Sequence, residues 1–400
     1  MKRRGALALI AGMGGTSGCL RLVGAGSTSR ESPTPERSPT ATGTPAIDTS
    51  SGAESEVTLT EAWTDESGVD NIWTVEGTFY YNDYNYAAEA SHGDGDGWSA
   101  DTTYEGFEEN FGADAFASDS RYVVFGYTPE VEDGEQIGAH FHAYRRYDGE
   151  EAWVVGAPSD GTHKLAAGAT VVDDTAVLAV SDYGDGNTGE PLVYGVDIGT
   201  GEIRWDADQS VLSASLIRGI ASYDGDVYVA TTAGVKLLAG DTGTLIGSRD
   251  DWYVGSYRLN SLGRIHGGTL FAGWQGDVSA YPLEATGVSW SNAGVGRVST
   301  APVVDNSLVV AGTREGDVYA VDRGSGEIRW EASVTNGVGA IETTGSHVWV
   351  GDTDIGLTAY ERETGALVHR STKPVNGDDI AVSDDVLLLG GDTATAHAID

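Results

Sequence analysis

The sequence predicts an all-β, eight-bladed β-propeller of four-stranded antiparallel blades, and three observations lead there. One sentence is written twice, as "LVYGVDIGTGEIRWDA" at Leu192–Ala207 and as "GDVYAVDRGSGEIRWEA" at Gly316–Ala332. A small turn followed by a short strand ending in tryptophan recurs at Trp63, Trp98, Trp153, Trp205, Trp290 and Trp330, and two further units place Gly247 and His369 at the same point. The interval settles to about 40 residues in the second half of the chain, a spacing that suits one propeller blade per repeat.

The unit from Ser299 shows how the strands are specified. "STAPVVD" and "SLVVAGT" are short β-branched runs, and "DVYAVDR" and "GEIRWEA" alternate apolar with polar residues. "DN", "REG" and "GSG" between them are turn formers. No such unit can bury both faces of its sheet alone, so neighbours must stack, and closing the stack into a ring removes the exposed end faces.

The last unit predicts how the ring closes. "GDDIAVSD", "DVLLLGGD" and "ATAHAID" match the first three strands of a blade, while "VTLTEAW" at Val57–Trp63 has the outer-strand pattern with no preceding three. Pairing the two ends gives seven blades within the chain and an eighth shared between its ends. The count becomes seven if Trp98 is not an anchor.

Ahead of the ring, residues 1–18 read as an export signal. Lys2, Arg3 and Arg4 precede a short apolar run and then "TSG" before Cys19, the single cysteine of the chain. The run is too short to span a bilayer. The small residues before Cys19 resemble a lipobox, and Arg3-Arg4 resembles a twin-arginine signal, so Cys19 is the expected lipidation site. Residues 19–56, rich in Ser, Thr, Pro and Gly, cannot bury enough apolar surface to offset their ordering entropy and are expected to be a tether. The propeller domain is then 57–400, outside the cell and held to its membrane by lipid.

Sixty-one acidic side chains against 23 basic ones give a formal net charge of -38, with 40% hydrophobic residues. Nucleic acid is excluded as a partner, because phosphate binding needs clustered Lys and Arg. An acidic, lysine-poor chain with a full core also suits concentrated salt, where screening shortens self-repulsion. A halophilic archaeal protein is the expected type.

"YAVDRGSGEIRW" at Tyr319–Trp330 and "YGVDIGTGEIRW" at Tyr194–Trp205 resemble the tryptophan-docking repeat of the pyrroloquinoline-quinone-type propellers. That family includes quinoprotein alcohol dehydrogenases and the lipoprotein propeller of the bacterial outer-membrane assembly machine. Weaker copies stand at Ala359–His369 and Leu237–Gly247. The resemblance implies that Ala320 and Gly326 make room for Trp330, and Gly195 and Gly201 for Trp205, so that the tryptophans are structural. It implies weaker seams where Gly247 and His369 replace tryptophan. The quinone enzymes of the family are longer, with a catalytic Asp, Glu and Asn ligands for Ca²⁺ and commonly adjacent cysteines. Here Cys19 stands alone.

Other candidates for chemistry are few. "TPEVEDGEQIGA" at 128–139 and "SDYGDGNTGEP" at 181–191 are long insertions at the same point of two neighbouring units, placed to form a rim for a partner. Asp182, Asp185, Asn187 and Glu190, with Asp94 and Asp96, offer the hard oxygen ligands that suit Ca²⁺ but lack EF-hand spacing, which leaves solvated loops as the alternative. His140 and His142 share a strand face, as a zinc pair or a packed pair, with His163 as a third ligand in the first case. No nucleophile elbow, phosphate loop or dinucleotide fingerprint appears in the sequence.

The expected function is non-catalytic binding or scaffolding of envelope proteins by a monomeric propeller without cofactor. A pyrroloquinoline quinone and Ca²⁺ dehydrogenase, or a carbohydrate-binding surface protein, is the alternative.

Overall fold

In a computed structural model of the chain, residues 57–400 are described apart from 66–68, 70, 84–85, 91–96, 102–109, 130–137, 158–163, 183–190, 215, 250–251, 253–263, 275, 286, 353–355, 372–379, 384 and 391–393. Cys19, Arg3, Arg4, His163 and the ligand candidates Asp94, Asp96, Asp185, Asn187 and Glu190 lie outside the described residues, while Asp182 ends the strand Thr175–Asp182, paired with Lys164.

Eight four-stranded antiparallel sheets form among the described residues. In chain order, blades 1 to 7 occupy residues 71–101, 110–156, 164–208, 217–249, 265–292, 303–333 and 338–371. Blade 8 takes three strands from 380–399 and its outer strand from Leu59–Asp65. The fourth strand of the last blade thus comes from the front of the chain, as the "VTLTEAW" pattern predicts.

That closure is specific. Leu59 pairs with Ile399 and Asp65 with Ala394, with a bulge between Glu61 and Trp63. Thr58 and Asp400 exchange backbone hydrogen bonds of 3.2 and 3.0 Å, and the Val57 N–H donates to the Val368 carbonyl of blade 7.

Strand alternation decides where the core goes. Side chains on either face of a sheet meet the neighbouring blade, so the buried apolar residues fall into clusters between blades. Val172, Trp205, Leu212 and Ile217 join blades 3 and 4, and Val310, Trp330, Val338 and Ile341 join blades 6 and 7. Blades 1 and 2 meet through an aromatic seam in which Trp73 stacks on Phe116 with centroids 4.8 Å apart.

Two faces follow from the topology. The hairpin turns between the inner and second strands, and those between the third and outer strands, lie on one face, called lower here. The connections between second and third strands lie on the upper face. The strand ends that flank the two acidic insertions, between second and third strands of adjacent blades 2 and 3, lie on this same face.

Candidate functional site

The repeated sentence builds the seams. In its "DxGTG" and "DRGSG" turns, Asp197 Oδ1 accepts from the N–H groups of Gly199 and Thr200, and Asp322 Oδ1 from those of Gly324 and Ser325. The second oxygen of each carboxylate takes the arginine of the following "EIRW": Arg204 donates to Asp197 at 2.5 Å, and Arg329 to Asp322. Arg329 first, then Ser325, holds the Asp322 carboxyl down at about 2. The charged residues of the repeat therefore close their own hairpin.

The tryptophan at the end of that strand reaches into the next blade. Trp153, Trp205, Trp290 and Trp330 donate their Nε1–H to the carbonyls of Ile198, Gly240, Arg323 and Arg362, at 2.8 to 3.0 Å. Trp98 does the same to Arg146 at 2.9 Å. Each indole lies against a turn glycine of the accepting blade, and all five glycines have positive φ: Gly149, Gly201, Gly243, Gly326 and Gly365. A Cβ at Gly201 would stand 2.7 Å from the Trp153 ring.

The expected glycine partners need correcting. Gly326 receives Trp290 rather than Trp330, and Gly201 receives Trp153 rather than Trp205. Trp330 rests on Gly365 and Trp205 on Gly243, because the outer strand of one blade leans over the turn of the next. The small residue of the motif is the same-blade partner: Ala320 pairs with Trp330 and Gly195 with Trp205 across adjacent strands, and a side chain on Gly195 would run into the indole.

Two seams lack tryptophan, and neither is left open. Where Gly247 ends the motif of blade 4, Trp252 from beyond the outer strand is buried among Leu237, Leu270 and Leu283. The carbonyl at the indole-accepting position, that of Leu283, takes Arg249 Nη2 at 3.4 Å instead, and the guanidinium lies 5.7 Å over the Trp252 ring. Thr286 stands in the sequence where the other turns have glycine, ten residues of register from Ala280 to Trp290 being kept. Where His369 replaces tryptophan, its Nδ1 meets the Val57 carbonyl at 3.0 Å, so it secures the closing strand. Trp63, on that strand, pairs with Ala396 and packs against the cluster joining blades 8 and 1. Residues 91–96, toward which its motif position leads, are outside the described residues.

On the lower face, arginines strap neighbouring blades. Arg362 of blade 7 donates from Nε to Asp305 Oδ2 at 2.7 Å and from Nη2 to Ser307 Oγ at 2.7 Å, both in a turn of blade 6. Arg146 of blade 2 reaches Glu76 at 2.9 Å and the Tyr80 hydroxyl at 3.0 Å in blade 1.

The histidine pair of the third strand of blade 2 is buried. The rings of His140 and His142 lie 5.0 Å apart between Tyr127 and Tyr144. Burial, reinforced by His142, lowers the His140 pKa to about 3, so it packs neutral. His142 Nδ1 lies 3.2 Å from a Glu151 carboxylate oxygen. Among the described residues, no group of three or more His, Cys, Asp or Glu is placed to hold a metal ion, and no helix is long and apolar enough to cross a membrane.

Near the axis, Arg264 of blade 5 reaches Glu342 on the inner strand of blade 7 at 3.4 Å, bypassing blade 6. Burial pushes the Glu342 carboxyl up, against the pull of Arg264. Thr170 and Ser222 link the inner strands of blades 3 and 4 at 2.8 Å. These pairs could not be foreseen, since their members are far apart in sequence and belong to no motif.

Residues 273–400 match the family described as outer membrane protein assembly factor BamB. No curated protein sequence matches the chain. Among solved structures the ring is similar to BamB from Moraxella catarrhalis, with a TM-score of 0.60 at 17% identity over 85% of this chain and 98% of that one. It is similar to the quinohemoprotein alcohol dehydrogenase ADHIIG from Pseudomonas putida HK5, with a TM-score of 0.62 at 12% identity over 85% and 76% of the two chains. The C-terminal WD40 domain of Sif2 gives 0.62 at 11% identity over 86% and 98%. At these identities the likeness establishes the propeller fold.

Proposed function

We propose that the chain is an exported ring, lipidated at Cys19, that holds partner proteins at the outer side of its membrane and performs no chemistry of its own. The observation that carries this reading is how the repeat spends its side chains. Asp197, Arg204, Trp205 and their counterparts Asp322, Arg329 and Trp330 bond one another and the next blade. What remains for recognition is a rigid frame with connections on two faces, an arrangement suited to protein contacts. The match of 273–400 to an assembly-factor family supports the same reading.

The export signal and tether in 1–56 supply the address, and the charge of -38 suits a saline exterior. A test is to replace Cys19 by Ser and to cross-link intact cells expressing either form. The unmodified chain should stay with membranes and cross-link to envelope proteins, whereas Cys19→Ser should be shed. Retention of the serine variant would remove the lipid anchor from this account.

The second reading, a quinone- and Ca²⁺-dependent dehydrogenase, draws on the shared ring of the quinohemoprotein dehydrogenase. Calorimetric titration of the domain with pyrroloquinoline quinone and Ca²⁺, followed by dye-linked alcohol oxidation, separates the two. Saturable binding with turnover would replace the scaffold by an enzyme. Retention on immobilised glycans would favour a carbohydrate-binding protein.

A further inference from the structure

We propose that the lower rim of blades 2 to 6 rests on the lipid bilayer that carries the chain, so that the ring lies flat and turns its upper face to partner proteins. The inference rests on the lipid anchor at Cys19 and adds an orientation to it.

Among the described residues six large hydrophobic side chains are exposed, at 39 to 79%: Tyr147, Ile203, Leu245, Ile246, Val288 and Ile328. All six lie at one place in the fold, in the turn before an outer strand or at the start of that strand, and they fall on five consecutive blades. Ile203, Leu245, Val288 and Ile328 occupy the same step of the repeat, two residues ahead of positions 205, 247, 290 and 330. In blades 3, 4 and 6 the register slips by one residue between the two positions. The slip sends this side chain to the other face of the sheet from the docking position, so it takes no part in the seam that the docking residue fills. The same step is an exposed glutamate in blades 8 and 2, Glu61 and Glu151.

The anchored segment meets the ring on the same rim. Leu59 pairs with Ile399, and Thr58 exchanges hydrogen bonds with Asp400, beside the turn where Ile399 donates to the Asp385 carbonyl. Residue 57 therefore stands at the lower end of blade 8. In a ring of eight, blade 4 lies opposite blade 8, and blade 4 is the middle of the apolar arc, with Leu245 beside Ile246. An attachment at one point of the rim and an apolar arc centred on the opposite point hold the lower face parallel to a surface.

The spacing selects lipid over protein. Side chains set one blade apart are too dispersed for the packed central cluster on which a protein contact depends. A bilayer is continuous and fluid, takes each aliphatic side chain separately and accepts a tyrosine at its headgroup level. With a net charge of -38 the contact needs uncharged headgroups or screening salt, which sets the conditions of the test.

Cys19 is the single cysteine, so the full chain can be coupled at that one point to a maleimide lipid in phosphatidylcholine vesicles in molar salt, whether or not cells lipidate it. The vesicles include a diazirine-bearing phosphatidylcholine, and mass spectrometry maps the lipid adducts after irradiation. Adducts should form on the rim of blades 2 to 6 at least about tenfold more often than on the upper connection around Thr335. Ile246→Glu combined with Val288→Glu, two exposed positions, should cut the adducts at Ile203 and Ile328 by about half or more while circular dichroism stays unchanged. Adducts spread evenly over both faces, confined to the upper face or absent beyond residue 57 would overturn the orientation, as would rim labelling that the double variant leaves intact. A photoreactive side chain at position 246 that captures a protein instead of lipid in intact cells would assign the rim to that protein and overturn it as well. Retention of Cys19→Ser on cell membranes would remove the native anchor, and the vesicle result would still decide whether the rim binds lipid.

Discussion

Trp330 of blade 6 lies flat against Gly365 of blade 7, where a Cβ would come within 2.8 Å of its ring, and donates to the Arg362 carbonyl beside it. The glycine is required twice, for the room and for its φ of +70°. Gly365→Ala should destabilise the ring by about 2 kcal/mol from the left-handed backbone and the crowded ring together. Trp330→Ala should cost about 3 to 5 kcal/mol as a large buried aromatic is removed. Denaturant unfolding measures both, and a smaller loss for Trp330→Ala than for Gly365→Ala would contradict the docking.

The seam between blades 4 and 5 makes a sharper case, because its residues are off the repeat. Trp252→Ala should cost about as much as Trp330→Ala, roughly 3 kcal/mol or more. Arg249→Met should cost about 1 kcal/mol for the lost hydrogen bond to Leu283. If Trp252→Ala melts like the unmodified ring, the seam is held by something other than this pair.

Ring closure can be tested by cutting the strand that performs it. Removing residues 57–65 unpairs the third strand of blade 8 and strips Val57 from Val368 and His369. The melting temperature in molar salt should fall by several degrees. An unchanged value would mean that the three-stranded blade suffices.

His140 gives a pH dependence with a definite sign. Its folded pKa of about 3 lies below the ordinary histidine value of 6.5, so below pH 6.5 the unfolded chain binds a proton that the folded one refuses. Its contribution is fully present above pH 6.5 and is lost as pH falls from there toward 3, by at most about 1.4 kcal/mol per pH unit. His140→Phe should reduce the slope of unfolding free energy between pH 6 and 4 by about one proton, and an equal slope in both chains would show that this imidazole does not drive it.

The sequence exposed what is periodic and local. The Asp322 turn, the alternation of Asp317–Asp322 and the orphan strand before Trp63 all follow from a few adjacent residues. The pairing of Trp330 with Gly365 was hidden, because each repeat contains its own Trp and its own Gly and nothing local says that the partners belong to different copies. Arg249 and Trp252 were hidden for another reason. They restore a lost contact from outside the motif, and only the packing of Leu283 and Leu237 about them reveals the substitution. The arginine straps were hidden as well, since Arg362 and Asp305 are 57 positions apart and share no motif.

The offset between Trp330 and Gly365 also gives the ring a direction. Each blade presents a plug on one side and a socket on the other, so the contact is head-to-tail, the kind that continues indefinitely unless its rotation closes. A whole repeat inserted or deleted would carry one plug and one socket with it and leave every remaining junction matched. A break within a repeat would strand half of a junction. The chain's history as a row of duplicated units, and the place at which any further copy could enter, are both written in that polarity.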